Sequence, residues 1–281
     1  MSITQLRQDY HRRICEQILA APNGVPNIAD KGSKISQQIA RNLIQRLNYP
    51  LAAESPPGQS VGALFEQITS EFLEQAFKLI FHLRPGEWRF SVNQSIANFE
   101  QYEHLDNIRQ AIKEYPDLAA TLGGDYIVTP DILVGRYPVS EEEINHSTPV
   151  VAETDHAARL TPLRQVNRPP SSLILHASIS CKWTMRSDRA QNIRTEALNL
   201  IRNRKGHTPR IAAVTAEPMP TRLASLALGT GDLDCTYHFA LSELQEAVVA
   251  SGSESQLEML QGMIAGRRLR DISDLPFDLA I

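Results

Sequence analysis

Apolar residues recur along this chain in two rhythms, and the switches between them mark its elements. Between Ile3 and Leu19 the apolar positions Ile3, Leu6, Tyr10, Ile14 and Ile18 fall three or four apart, which predicts an amphipathic helix. Ala21 to Asn27, with two prolines and a glycine, breaks it. Ile35, Ile39, Leu43 and Leu47 mark a second helix. Pro56-Pro-Gly-Gln-Ser60 reads as a turn, with Ser60 capping a long helix that runs to about His82. The apolar face of that helix is Leu64, Phe65, Ile68, Phe72, Phe77 and Ile80. Trp88 to Val92 is a candidate strand, and Ser95 to Tyr115 a further helix stopped by Pro116. Asp125 to Arg136 reads as a strand pair or bent strand with Pro130-Asp131 in its middle. Ser140 to Pro170 has charge, proline and histidine but little periodicity, and reads as a variable loop or arm. His146 and His156 in it share no ligand spacing with another candidate and read as surface histidines.

From Leu173 to Arg202 the two rhythms follow each other directly. Leu173 to Trp183 is a strand pattern, with Ala177, Ile179 and Cys181 on one face and Ser178, Ser180 and Lys182 on the other. A helix follows, with Ser187 or Asp188 as N-cap and apolar positions Ala190, Ile193, Ala197, Leu198 and Ile201. Ile211 to Thr215 is a buried strand pattern, and a small helix follows Glu217-Pro-Met-Pro-Thr-Arg222. Cys235 to Leu241 is another strand, with Ser242 starting a capped helix. Strands alternating with helices predict an α/β sandwich, and we read residues 1–281 as one domain.

Composition narrows this only slightly. A chain of 281 residues, 42% hydrophobic and 21% charged, is expected to bury a real core. The N-terminus lacks the apolar run of a signal peptide, and no stretch is long enough to span a membrane. Cys15, Cys181 and Cys235 are isolated and odd in number, which argues against a zinc site or a disulfide framework and fits a reducing cytoplasm. A net charge of −4 argues against a general nucleic-acid coat, although a narrow cleft needs only a local basic face.

The chemistry gathers on the strand-turn-helix. Lys182 closes the strand, Arg186-Ser-Asp-Arg189 crosses the turn, and Arg194-Thr-Glu196 lies inside the helix. Each has a plain reading as solvated charge. Pro130-Asp131 upstream changes that balance, because Pro-Asp followed by a strand ending in lysine is the skeleton of a metal-dependent nuclease site. There one carboxylate holds a hard cation, the lysine supports the attacking water and a second carboxylate completes the site. The second acid usually stands two residues before the lysine, where this chain has Ser180. Glu196 is a replacement, on a helix that can fold its carboxylate back toward the strand end.

The run Ser180-Cys-Lys-Trp-Thr-Met-Arg-Ser-Asp-Arg-Ala-Gln-Asn-Ile-Arg-Thr-Glu196 resembles the signature of NgoMIV-type restriction endonucleases, a group that cuts sites containing CCGG. Gly58-Gln59, Phe65-Glu66, Thr129-Pro-Asp-Ile132, Arg202-Asn-Arg-Lys-Gly206, Thr215-Ala-Glu-Pro218, Leu228-Gly-Thr-Gly231 and Asp271-Ile-Ser-Asp-Leu-Pro276 resemble it in the same order, leaving out roughly Tyr137 to Pro170. The resemblance implies a restriction-endonuclease-like core, a mixed central β-sheet flanked by α-helices. It implies that Asp131 and the backbone carbonyl of Cys181 hold Mg²⁺, with Glu196 and Glu66 completing the acidic cluster directly or through water. Lys182 would orient or deprotonate the water for in-line attack, leaving a 5′-phosphate.

Base reading is implied as well. Arg186 and Arg189 would bind the two inner guanines of CCGG and Asp188 would accept from the cytosines. Arg222 and Asp30 match positions that read an outer G·C pair, and Gln59 a minor-groove contact. The implied site is GCCGGC in double-stranded DNA, cut after the first G to leave a four-base 5′ overhang, by a homotetramer built as a dimer of dimers. On the residues alone, Asp30 reads as a loop or cap residue, and Glu66 is open to a reading as a solvated acid. The basic stretch Arg202 to Arg210 is either a linker or a phosphate contact. Two further classes stay open: a DNA-repair nuclease of the same fold, and a non-catalytic sequence-specific DNA-binding protein.

Overall fold

Helix α1 (Ile3–Gln17) opens on a full capping box. The Gln5 amide donates to the Ser2 hydroxyl at 3.2 Å, and the Ser2 amide donates to the Gln5 side chain at 2.7 Å. The helices that follow are α2 (Lys34–Leu47) and α3 (Gly58–Leu79). Then come β1 (Trp88–Val92), α4 (His104–Glu114), β2 (Ile132–Arg136), β3 (Ile174–Lys182), α5 (Ser187–Asn203) and β4 (Arg210–Thr215). The chain ends with α6 (Pro220–Ala227), β5 (Cys235–His238), α7 (Leu241–Ser251), α8 (Glu254–Ala265), β6 (Leu269–Asp271) and a helical turn at Leu275–Leu279. The computed structural model describes residues 1–115, 127–152, 154–167, 172–229 and 231–281.

Among these the strands follow the order β1-β2-β3-β4-β5-β6. β1 and β2 are antiparallel, with Val92 opposite Ile132, whereas β4, β5 and β6 are parallel neighbours. This is the expected mixed sheet flanked by helices. The chain divides into two compact units. The larger comprises residues 1–83, 179–197 and 211–281, and the smaller residues 84–178 and 198–210.

In the larger unit, α1 packs on α3, α2 on α7 and α6 on α8. Leu6, Tyr10 and Ile14 of α1 and Phe65, Ile68 and Phe72 of α3 are buried, each contributing about 1.5–3 kcal/mol for the apolar surface withdrawn from water. Two helix starts differ from the sequence reading. α3 begins at Gly58, with Pro57 in the capping position and Ser60 exposed in the first turn; the fixed φ of proline presets the entry. α7 begins at Leu241 rather than at Ser242, because its first amide donates to the Asp271 carboxylate at 2.9 Å. A cap supplied from β6 overrides the local one.

In the smaller unit, the single helix expected over Ser95 to Tyr115 is broken. A short 3₁₀ turn, Ile96–Asn98, gives way to extended backbone at Phe99 before α4 begins. Gln101 explains the break: its side chain donates to the Leu175 carbonyl and accepts from the Leu175 amide, both at 2.8 Å, completing the edge of β3 as a strand would. Tyr102 donates to the Leu200 carbonyl at 2.9 Å. Phe99 lies so close to Gly135 that a Cβ there would come within 2.9 Å of its ring, and a larger residue would have to displace that buried ring.

β2 begins at Ile132, so Pro130-Asp131 precedes the strand and does not sit in its middle; proline has no amide to give to a ladder. Asp125 and Tyr126 lie outside the described residues. The segment read as a variable arm has an ordered centre. Arg164, 3% exposed, donates to both carboxylate oxygens of Glu141 at 2.9 Å and to the carbonyls of Ala157 and Ala152. His146 and His156 are exposed.

The serine face of β3 is buried like its apolar face, since Ser178 and Ser180 are 2% and 6% exposed. Both faces of the strand are therefore covered. No helix among the described residues is long and apolar enough to cross a membrane.

Candidate active site

The last residues of β3 deliver Cys181, buried, and Lys182, half-buried. Trp183 anchors this strand end: its ring meets Phe65 of α3 edge-on at 5.3 Å and lies 6.2 Å from Phe239. The same contact fixes the turn of α3 that carries Glu66, which is half-buried.

The chain then turns into α5, where the Ala190 amide donates to the Arg186 carbonyl at 3.0 Å. Arg186 thus takes the capping position that the sequence offered to Ser187 or Asp188. The buried stripe is Ala190, Ile193, Ala197 and Leu200; Leu198 and Ile201, expected on it, are only half-buried. With that stripe inward, Glu196 turns back to β3, and its carboxylate accepts from the Ser180 hydroxyl at 3.5 Å. An acid is present beside the strand position where the motif usually carries one. Arg194 on the same helix donates to the Ser225 carbonyl at 2.5 Å. It passes so close to Gly229 that a Cβ there would lie 2.6 Å from the guanidinium, which would have to move aside. The loop after α6 is thereby held against α5.

A cleft of about 830 Å³ opens beside this assembly, lined by Asp30, Arg186, Asp188 and Arg222 among others. Arg186 and Asp188 are exposed. Asp30 and Arg222 pair with each other across the cleft. The Gly32 amide, at 2.9 Å, is the main reason the Asp30 carboxyl titrates below its ordinary range. Partial burial works against that, and Arg222 and Arg186 reinforce it. Four of the six candidate base-reading residues therefore line one cleft. Arg189 does not: its guanidinium donates to the carbonyl and the hydroxyl of Thr184 at 2.9 and 2.8 Å. Gln59 is exposed in the first turn of α3 and is not part of the cleft lining.

The sequence of this constellation has known counterparts. Residues 10–281 match the family model described as the NgoMIV restriction enzyme. The type II restriction enzyme NgoMIV of Neisseria gonorrhoeae is 46% identical over 285 aligned positions, covering 99% of this chain and 98% of that protein.

The chain belongs to the NgoMIV restriction enzyme family.

Type II restriction enzymes generally use divalent metal ions, and this chain's donors fit a hard one. Among the described residues no group of three or more His, Cys, Asp or Glu side chains stands ready as a cage. The candidate donors are carboxylates and a backbone carbonyl at a strand end, the oxygen set with which Mg²⁺-like ions bind while keeping several waters. Asp131 belongs to the smaller unit, where it is half-buried just ahead of β2 and its carbonyl accepts from the Asn93 amide at 3.1 Å. Lys182, Glu196 and Glu66 belong to the larger unit.

The sequence assigns no role to one acid beside this cleft. Glu217, two residues after β4, is fully buried. Its carboxylate accepts from the Met185 amide at 2.8 Å and the Met219 amide at 3.1 Å. Burial pushes its carboxyl up to about 7, despite those two amides and the positive field of Arg222. In the sequence it stands in the runs Thr215-Ala-Glu-Pro218 and Glu217-Pro-Met-Pro-Thr-Arg222, where nothing distinguishes a buried acid from a solvated one.

Proposed function

We propose that this chain is a Mg²⁺-dependent type II restriction endonuclease that recognises GCCGGC in double-stranded DNA. It cuts after the first G, leaving a 5′-phosphate and a four-base 5′ overhang. The whole chain acts as one endonuclease domain, in a homotetramer arranged as a dimer of dimers, the symmetry that a palindromic site favours. The observation that carries this reading is the Glu196 carboxylate at Ser180, 3.5 Å from the hydroxyl, in a chain of this family.

Asp131, the carbonyl of Cys181 and Glu196 are the cation's protein donors, with Glu66 acting directly or through water; the role of Asp131 rests on the Pro-Asp motif. When bound, the cation supplies Lewis-acid polarisation of the scissile phosphate. The Lys182 ammonium orients the attacking water or, once neutral, takes its proton. Attack is in line on phosphorus, and the leaving 3′-oxygen collects a proton from solvent. In the cleft, Arg186 and Asp188 read the inner pairs, with Arg189, while Arg222 and Asp30 read the outer pair. Gln59 makes a minor-groove contact. Because Arg222 and Asp30 are paired with each other, base recognition exchanges that ion pair for contacts to guanine and cytosine.

The test uses a duplex carrying GCCGGC. Asp131→Ala and Lys182→Ala are expected to abolish cleavage while binding persists. Glu196→Ser should also stop cleavage, and adding Ser180→Glu to it should restore part of the activity. Near wild-type cutting by Asp131→Ala, Lys182→Ala or Glu196→Ser would refute the site assignment.

A further inference from the structure

We propose that Glu217 is a positioning residue for base discrimination: its buried carboxylate clamps together the two loops that present Arg186 and Asp188, and Arg222. The inference rests on the reading of the cleft as a DNA-recognition surface.

The geometry is specific. One carboxylate oxygen takes the amide of Met185, the residue directly before Arg186, and the other takes the amide of Met219, three residues before Arg222. Each of these loops opens a helix. The Arg186 carbonyl accepts from Ala190 at the start of α5, and the Met219 carbonyl accepts from Arg222 and Leu223 at the start of α6. A single side chain therefore fixes the origins of two helices whose first turns carry the candidate base readers. The carboxylate is itself held. The Glu217 amide donates to the buried Thr215 hydroxyl at 3.2 Å, and the residue sits at the end of β4, so the clamp is referred to the sheet.

A fully buried acid with only neutral hydrogen-bond donors is an expensive way to join two loops. Its two oxygens, however, take one amide each, whereas Gln in the same pose would set its NH2 donors against one of the two amides. Two loops that move independently would read the inner and outer pairs independently. Joined through Glu217, they are set together.

The test compares wild type with Glu217→Gln and Glu217→Ala on GCCGGC duplexes bearing single base-pair changes, measuring kcat/KM for each. Discrimination at the inner and at the outer pairs should fall together by about tenfold, the value of one good base contact. A merely structural role would lower activity on all duplexes and leave the ratios alone. In parallel, hydrogen exchange at the Met185 and Met219 amides should accelerate by about tenfold or more in both variants, as the local closure is lost. If the amides lose protection and discrimination stays within about twofold of wild type, this inference fails and the functional reading stands. Unchanged amide protection would refute the clamp itself. A wild-type protein that does not cut GCCGGC would overturn the functional reading, and this inference with it.

Discussion

Asp271 and Glu217 are both buried carboxylates of the larger unit, and they are held in opposite ways. Asp271 accepts from two nitrogens of the Arg7 guanidinium, both at 2.8 Å, and from the Leu241 amide, the Ser273 amide and the Ser273 hydroxyl. Arg7 is shared with Glu243 at 2.8 and 2.6 Å. Burial alone would push the Asp271 carboxyl up, yet Arg7 and the Ser273 donors hold it down at about 2. Glu217 has two amides and no cation among its hydrogen-bond partners, and burial pushes it up to about 7. One acid is saturated by opposite charge and joins α1, α7 and β6. The other is an acid whose charged form burial disfavours, beside a cleft lined by exposed Arg186 and Asp188. Asp271 is held by opposite charge, whereas Glu217 is held by backbone amides beside a cleft where Arg186 and Asp188 stand exposed and Asp30 pairs with Arg222.

The contrast can be broken most directly at the first acid. Asp271→Ala leaves the Arg7 guanidinium half-satisfied and uncaps α7, and should lower stability by about 3–5 kcal/mol, read by denaturant melts at neutral pH. A loss below about 1 kcal/mol would put this network with ordinary surface pairs and end the comparison.

Titration separates the two acids by sign. The folded Asp271 carboxyl lies below its ordinary 3.8, so the stability it contributes is present above that pH and is lost as pH falls toward 2, about 2 kcal/mol in all. The Glu217 carboxyl lies above its ordinary 4.5, so its contribution is complete below that pH and is lost as pH rises through 7, about 3 kcal/mol. Glu217→Gln should therefore gain on wild type in unfolding free energy between pH 4.5 and 8. A difference that stays flat across that range would show that Glu217 is not held as described.

Much of this arrangement was legible in the sequence, and the boundary is instructive. The strand over Leu173 to Trp183 and the helix after it follow from local periodicity, so β3 and α5 came out nearly in full. Glu196 was reachable because a motif says which atom is missing at Ser180. What stayed hidden are single side chains bonded to distant backbone or charge: Gln101 to Leu175, Arg164 to Glu141, Asp271 to Leu241 and Glu217 to Met185. Such bonds leave no local period, and they override local signals. Gln101 breaks a helix that periodicity predicts, and Asp271 moves the start of α7.

Smaller effects test the cleft side of the comparison. Arg222→Ala should relax the outer base pair by about 1–3 kcal/mol and leave the CCGG core strict, while Arg186→Ala should do the reverse. Relaxation of the inner pairs by Arg222→Ala would undo the division. Lys205 lies in the exposed basic stretch after α5. Lys205→Ala should weaken binding to all sequences alike and reduce the salt slope by about one; an effect confined to GCCGGC would remove it from the phosphate contacts.

The central claim, that this member of the NgoMIV family cuts DNA at one defined sequence, is tested most directly by sequencing ends. Purified protein is incubated with phage DNA and Mg²⁺, and every new terminus is read. The expected ends are 5′-phosphates beginning CCGGC, each preceded in the uncut DNA by G, with breaks on both strands four bases apart. Ends at another sequence would contradict the recognition assigned to the cleft, and intact DNA or unrelated ends would contradict the enzyme itself.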